Sequence, residues 1–215
     1  MDSEKENQLE RPSLWGMIWS PNKQFDRIKQ NPTVWVPLII TSLMFSVGMF
    51  FVSTLIEKLL IWINMDAMEE WMIVLWLIRT IIVGTGLFIP TVIILILSAI
   101  HLIITKVIGT EVTFKQLFSM NAHILFIGAL GFVIGMSIYA FVFKETGMSG
   151  KLVAITLLII YQYFVSQAFI IWQIILGAIG LQRIGKLSKV VAWTIAIILM
   201  VISLSFGLFG ALLGI

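Results

Sequence analysis

The chain has 215 residues, of which 60% are hydrophobic and 12% charged, with a formal net charge of +3 and no cysteine. A soluble domain carries roughly 25% charged and 45–50% apolar residues, and a mean hydropathy of +1.05 belongs instead to a chain that lives in a bilayer. Disulfides and thiolate metal sites are excluded. So small a net charge gives no footing for nucleic acid, and the apolar runs are long enough for helices rather than barrel strands.

Residues 1–13 read as a polar cytoplasmic tail. The first thirty residues are polar, so the first span is expected to act as its own uncleaved signal. Residues 14–31 read as an interfacial amphipathic segment, with Trp15 and Trp19 suited to the headgroup level. Ser20 then Pro21 has the form of an N-cap followed by proline at the first helical position, and Asn31 then Pro32 repeats it. Between them Phe25 and Ile28 share one face, with Lys23, Arg27 and Lys29 around the rest. This predicts a short basic helix in the headgroup region, hinged onto the first span.

Residues 32–215 read as an all-α, polytopic membrane bundle of five transmembrane helices, at about 33–56, 77–104, 117–142, 152–180 and 190–213. The first could continue past Glu57 and Lys58. The apolar stretch 71–104 exceeds the ~20 residues that a bilayer core takes, so the outer ends of the first two helices should protrude, or a kink should shorten the second. Trp62, Trp71 and Trp76 would form an aromatic belt there. Thr113-Phe-Lys-Gln116 is a capping box opening the third span, and Ser188 can cap the fifth.

Cation placement gives the orientation. With the N-terminus inside, the inner segments hold Lys5, Arg11, Lys23, Arg27, Lys29, Lys106, Lys115, Arg183, Lys186 and Lys189, and the outer loops hold Lys58, Lys144 and Lys151. The positive-inside rule then expects a multi-pass protein of the plasma membrane, N-terminus cytoplasmic and C-terminus extracytoplasmic.

The pattern Pro21-x-x-x-Phe25-x-x-Ile28-x-x-x-Pro32 before the first span resembles the entry segment of the Yip1 family. Three further stretches agree: Thr113-Phe-Lys-Gln-Leu-Phe-Ser-Met-Asn-Ala122, Trp172 through Gly180-Leu181, and Lys186-Leu-Ser-Lys189 with Ala192. The likeness covers about residues 14–213. It implies five spanning helices and a cytoplasmic N-terminus. Eukaryotic relatives act in vesicle trafficking and bind Rab-type small GTPases. Their Asp-Leu-Tyr-Gly-Pro type motif is missing here, and the chain looks more like the short prokaryotic members.

Ionisable and amide groups inside a membrane are candidate functional residues by default. The candidate polar set is Arg79, Pro90, His101, Asn121, His123, Gln162, Ser166 and Gln173. Arg79 and His101 share a helix face but stand about 33 Å apart at 1.5 Å rise per residue, too far for one site. Arg79 is expected to snorkel to the outer headgroups, and Pro90 to kink its helix. His101 and His123 could lie at similar depth and make interhelical hydrogen bonds or, alternatively, form a proton-sensing pair; without a carboxylate they make a poor metal site. Gln162, Ser166 and Gln173 line one face of the fourth span, as interhelical glue or a polar path. Gly131-x-x-x-Gly135 and Gly210-x-x-x-Gly214, with Gly177 and Gly180, suit close helix packing within the monomer or in a homo-oligomer. Asp66, Glu69 and Glu70 read as a solvated connector.

The candidate interaction face is cytoplasmic: Lys23, Phe25, Arg27, Lys29, Lys115, Arg183, Lys186 and Lys189. No catalytic motif is present, and no cofactor or metal is expected. The leading function is a non-enzymatic membrane organiser or adaptor that recruits anionic lipid headgroups, or an unidentified membrane or cytoplasmic protein, through that face. The alternative is a small transporter or channel using the kinked second span and the glutamine face of the fourth.

Overall fold

The computed structural model describes residues 10–63, 68–145 and 150–213, with side-chain surroundings for 10–57, 72–138 and 167–202. Among these residues the chain is all helix: α1 (Gly16–Trp19), α2 (Pro21–Gln30), α3 (Trp35–Ile63), α4 (Met68–Val107), α5 (Phe114–Glu145), α6 (Gly150–Arg183) and α7 (Lys189–Leu213). Three stretches are long and apolar enough to cross a bilayer: Trp35–Glu57, Met72–Val107 and Phe114–Ile138. The described apolar part of α7, Lys189–Ile202, is shorter, and much of α6 lies outside the side chains described.

Local chemistry explains the boundaries. Pro21 occupies the first turn of α2, where its missing N–H costs nothing. Ser20 precedes it without capping through its side chain; its hydroxyl instead donates to the Gly16 carbonyl and accepts from Gln24 Nε2. Asn31-Pro32 does not start a helix. Asn31 closes α2, its N–H bonding the Arg27 carbonyl at 2.7 Å, and α3 begins at Trp35. A residue before proline is driven out of the helical region, so Pro32 ends one helix, and Pro37, in the first turn of α3, is the proline that suits a start.

Helix α4 ends in a Schellman motif. Gly109 has φ 83°, which glycine alone adopts freely, and its N–H bonds the Lys106 carbonyl while Thr110 N–H bonds that of Thr105. The capping box of α5 is formed, with Gln116 N–H on Thr113 Oγ1 at 3.3 Å and Thr113 N–H on Gln116 Oε1 at 3.0 Å. Ser188 Oγ likewise accepts from Val191 N–H at the start of α7.

The chain divides into two compact units. Unit one comprises Met1–Val34, Ile96–Ile124 and Ile171–Ile215. Its core holds Met17, Phe25, Ile28, Leu117, Met120, Leu176, Leu181 and Ile184, all fully or nearly fully buried. Unit two comprises Trp35–Leu95 and Leu125–Ile170. In it α3 and α4 touch backbone to backbone: a Cβ on Gly86 would stand 2.6 Å from Ser46 Cα, and Ser46 Oγ donates to the Val83 carbonyl at 2.9 Å. Phe132 of α5 lies over Gly48 and stacks on Phe45 with ring centroids 5.4 Å apart, and Gly131 receives the ring of Phe169 from α6. Pro90 is buried inside α4.

Burial follows the solvent. Over an 18-residue apolar window, 67% of the residues are buried in Phe114–Ile138, against 22% in Trp35–Glu57 and in Met72–Val107, which present Ile39, Leu43, Phe88 and Ile96 outward. An exterior this apolar is what a helix needs when hydrocarbon surrounds it.

The two glycines of α4 make a paired test. Gly86→Val should destabilise the protein in detergent by about 1–3 kcal/mol through overpacking against Ser46. Gly84, whose added Cβ would meet nothing within 4 Å, should tolerate Gly84→Ala with no loss and a gain of up to about 1 kcal/mol. Equal unfolding midpoints for the two variants would contradict the α3–α4 contact.

Candidate functional site

The site is built on the docking of α2. Phe25 and Ile28 are 0% exposed. A Cβ on Gly180 of α6 would meet Met120 Sδ of α5 at 2.7 Å and Phe25 Cε1 at 3.1 Å, so the missing side chain is the space those two occupy. The expectation that Phe25 belongs to the interaction face is corrected: protein covers it. Phe25 therefore belongs to the core, and only the polar side of α2 is left as surface. Gln24, 3% exposed, is tucked over Gly16, and its Oε1 accepts from Ser13 N–H and from Arg27.

Two long-range hydrogen bonds tie the C-terminal end of α2 to α5. Gln116 Nε2 donates to the Lys29 carbonyl at 2.7 Å, satisfying an acceptor that the end of α2 leaves orphaned. Ser119 Oγ donates to the Thr33 carbonyl at 2.7 Å. Asp26 of α2 meets Arg183 at the end of α6, with 3.4 Å between Oδ2 and Nη1.

These contacts sort the predicted cations into two groups. Lys23 and Arg27 both pair with Glu10, and Arg183 pairs with Asp26. Lys29, Lys115, Lys186 and Lys189 are exposed and have no ion pair among the described residues; Lys106, at the last turn of α4, joins them. Lys29 and Lys186 line one cleft of about 490 Å³ with Asp26, Gln30, Glu111, Gln116 and Ile184. Asp26 and Glu111 carry no motif, and only the fold brings them here.

The intramembrane candidates do not converge on one site. In unit one, Asn121 Nδ2 donates to Ser98 Oγ at 3.0 Å and to His101 Nδ1 at 3.2 Å, so His101 accepts there and carries its proton on Nε2. His123 turns to its own helix, donating from Nδ1 to the Ser119 carbonyl at 2.7 Å, and its buried Nε2 has no partner among the described residues. The two imidazoles thus have separate partners and do not pair. Among the described residues no group of three His, Asp or Glu could hold a metal.

In unit two, Arg79 is held by α3. Its guanidinium reaches Glu57 at 3.5 Å and Thr54 at 3.3 Å and lies 4.5 Å over the Phe50 ring. The snorkelling expectation overlooked Glu57 as a partner. Gln173 is half-buried in unit one. The side chains of Gln162 and Ser166 lie outside the described residues, as do Trp62, Trp71, Gly210 and Gly214 and the cluster Asp66, Glu69 and Glu70.

Long apolar helices with lipid-type exteriors, ending in a polar, lysine-bearing surface, define a helical integral membrane protein. A family model, the Yip1 domain, matches residues 15–211. The chain is also 31% identical, over 95% of its length and 92% of the relative's, to the membrane protein YknW of Bacillus subtilis strain 168. No solved structure matches. The chain belongs to the Yip1 family.

The buried amide is testable. Asn121→Leu removes the donor to both Ser98 and His101 and should cost about 1–2 kcal/mol of stability in detergent. An unchanged unfolding midpoint would mean that this cluster contributes nothing to unit one.

Proposed function

We propose that this Yip1 family protein is a non-enzymatic membrane organiser with five spanning helices, its N-terminus in the cytoplasm and its C-terminus outside. The observation that carries this reading is the set of exposed lysines without ion pairs among the described residues: Lys29, Lys106, Lys115, Lys186 and Lys189. They gather where α2, the α4–α5 turn and the α6–α7 turn come together in unit one. Lysines near an anionic surface are worth roughly 1 kcal/mol each, and partnering them is the work of a second molecule. Lys23, Arg27 and Arg183 already have carboxylates and drop out of the recruiting set.

The absence of cysteine makes the orientation directly measurable. Lys106→Cys and Lys189→Cys should react with an impermeant maleimide only after the cells are opened, and Lys144→Cys should react in intact cells. Labelling of Lys106→Cys in intact cells would invert the topology.

Recruitment is tested by photo-crosslinking in native membranes from positions 27, 115 and 186. One dominant species is expected from 115 and 186 and less from 27. Converting Lys106, Lys115 and Lys189 together to glutamine should cut capture from position 186 roughly tenfold or more, while Lys23→Gln leaves it unaltered. Capture that ignores the triple change would end the reading.

A further inference from the structure

We propose that the cleft between α2, the α4–α5 turn and the α6–α7 turn is a headgroup site for a zwitterionic aminophospholipid, of the phosphatidylethanolamine type. The proposal deepens the reading of this surface as the membrane-facing cytoplasmic end and rests on it. The cleft, about 490 Å³, falls in the range of small-ligand sites.

Its charges have distinct availabilities. Asp26 is engaged by Arg183, and Gln116 is committed to the Lys29 carbonyl and to Thr113. Both serve as walls. Lys29, Lys186 and Glu111 line the same space, are exposed, and have no ion pair among the described residues. Two cations with one free carboxylate complement a phosphodiester joined to a primary ammonium: the lysines take the phosphate oxygens, and Glu111 accepts from the ammonium. A purely anionic headgroup would set its charge against Glu111, and a choline headgroup would offer that carboxylate no N–H.

Lys186 adds an independent sign. It is the one non-glycine residue with positive φ among the described residues, at 53°, although Gly185 stands immediately before it. A lysine in the left-handed region is strained, because its Cβ crowds the neighbouring carbonyl. Gly185 cannot take that role for it: a Cβ there would stand 2.5 Å from the Leu181 carbonyl oxygen, the same carbonyl that accepts from Leu187 N–H across Lys186. The strain is borne where a cation lines the cleft, as at other functional positions.

A lipid rather than a free phosphate ester is the occupant, because the flanking chain is apolar and uncovered. Val107, Ile108, Phe114 and Val190 are all exposed, at or next to the ends of α4, α5 and α7 that flank the turns carrying Glu111 and Lys186. Acyl chains would cover that surface, and a soluble ester would not.

The purified protein in detergent, offered phosphatidylethanolamine, phosphatidylglycerol and phosphatidylcholine in equal amounts and read by native mass spectrometry, should retain the ethanolamine lipid about two- to fivefold over each of the others. Glu111→Gln should erase the preference over phosphatidylcholine. Lys29→Gln and Lys186→Gly should weaken retention of all three; the glycine keeps the backbone conformation, so loss of the turn is not the cause. Glycerophosphoethanolamine should compete weakly. Equal retention of the three lipids, a preference that survives Glu111→Gln, or displacement by equimolar glycerophosphoethanolamine would each overturn the proposal. Lys106→Gln with Lys189→Gln, outside the cleft, should keep the selectivity. If their capture of a partner is also unaltered, the organiser reading fails while the headgroup site stands.

Discussion

Unit one depends on a gap. Where α5 and α6 approach, Gly180 has no side chain, and Met120 and Phe25 fill the space it leaves. Burial of Phe25 and Ile28 stabilises the docked α2 by roughly 1.5–3 kcal/mol per side chain. α2 itself lies outside the three stretches long and apolar enough to cross a bilayer. Once α2 is seated, its Lys29 carbonyl comes within reach of Gln116, and the Thr33 carbonyl just beyond it within reach of Ser119. A larger residue at position 180 would lift Phe25 and unseat those bonds together, along with the Asp26–Arg183 pair.

The docked helix also decides which charges are spent. Asp26 is presented to Arg183, and Glu10 draws in Lys23 and Arg27. A basic surface that looked uniform is therefore divided into a self-neutralised part around the N-terminal helices and an open part around the two interhelical turns. The proposed recruitment rests on the second part, because a cation already paired has less to gain from a newcomer.

Much of the architecture was legible where a signal is local. The capping box at Thr113 and Gln116, the cap at Ser188 and Pro21 in the first turn of α2 all have their partners within a few residues, so spacing alone reveals them. Membership of a helical membrane class was legible from composition. What stayed hidden shares one property. Gln116 and Ser119 bond backbone carbonyls of Lys29 and Thr33, and a carbonyl is carried by every residue alike, so no side-chain type marks the partner. Phe25 passed for a surface residue because amphipathicity says that one face is apolar but not whether protein or lipid covers it. Asn31-Pro32 carried the grammar of a helix start, and the proline three residues into α3 outweighed it. The two histidines attracted attention by type, whereas their partners were set by rotation about each helix.

One dimension of α4 reaches beyond the protein. Its apolar stretch from Met72 to Val107 has 36 residues, about 54 Å of rod at 1.5 Å per residue. Helices in bilayers tilt by up to about 40°, and at that limit such a rod still rises about 41 Å against a hydrocarbon core of about 30 Å. Inclination alone leaves about 11 Å of apolar surface unhoused. A protruding outer end, a bend at Pro90 or a locally thickened bilayer can absorb it. Of these, the bend and the thickening couple the free energy of the protein to the acyl-chain length of the surrounding lipid.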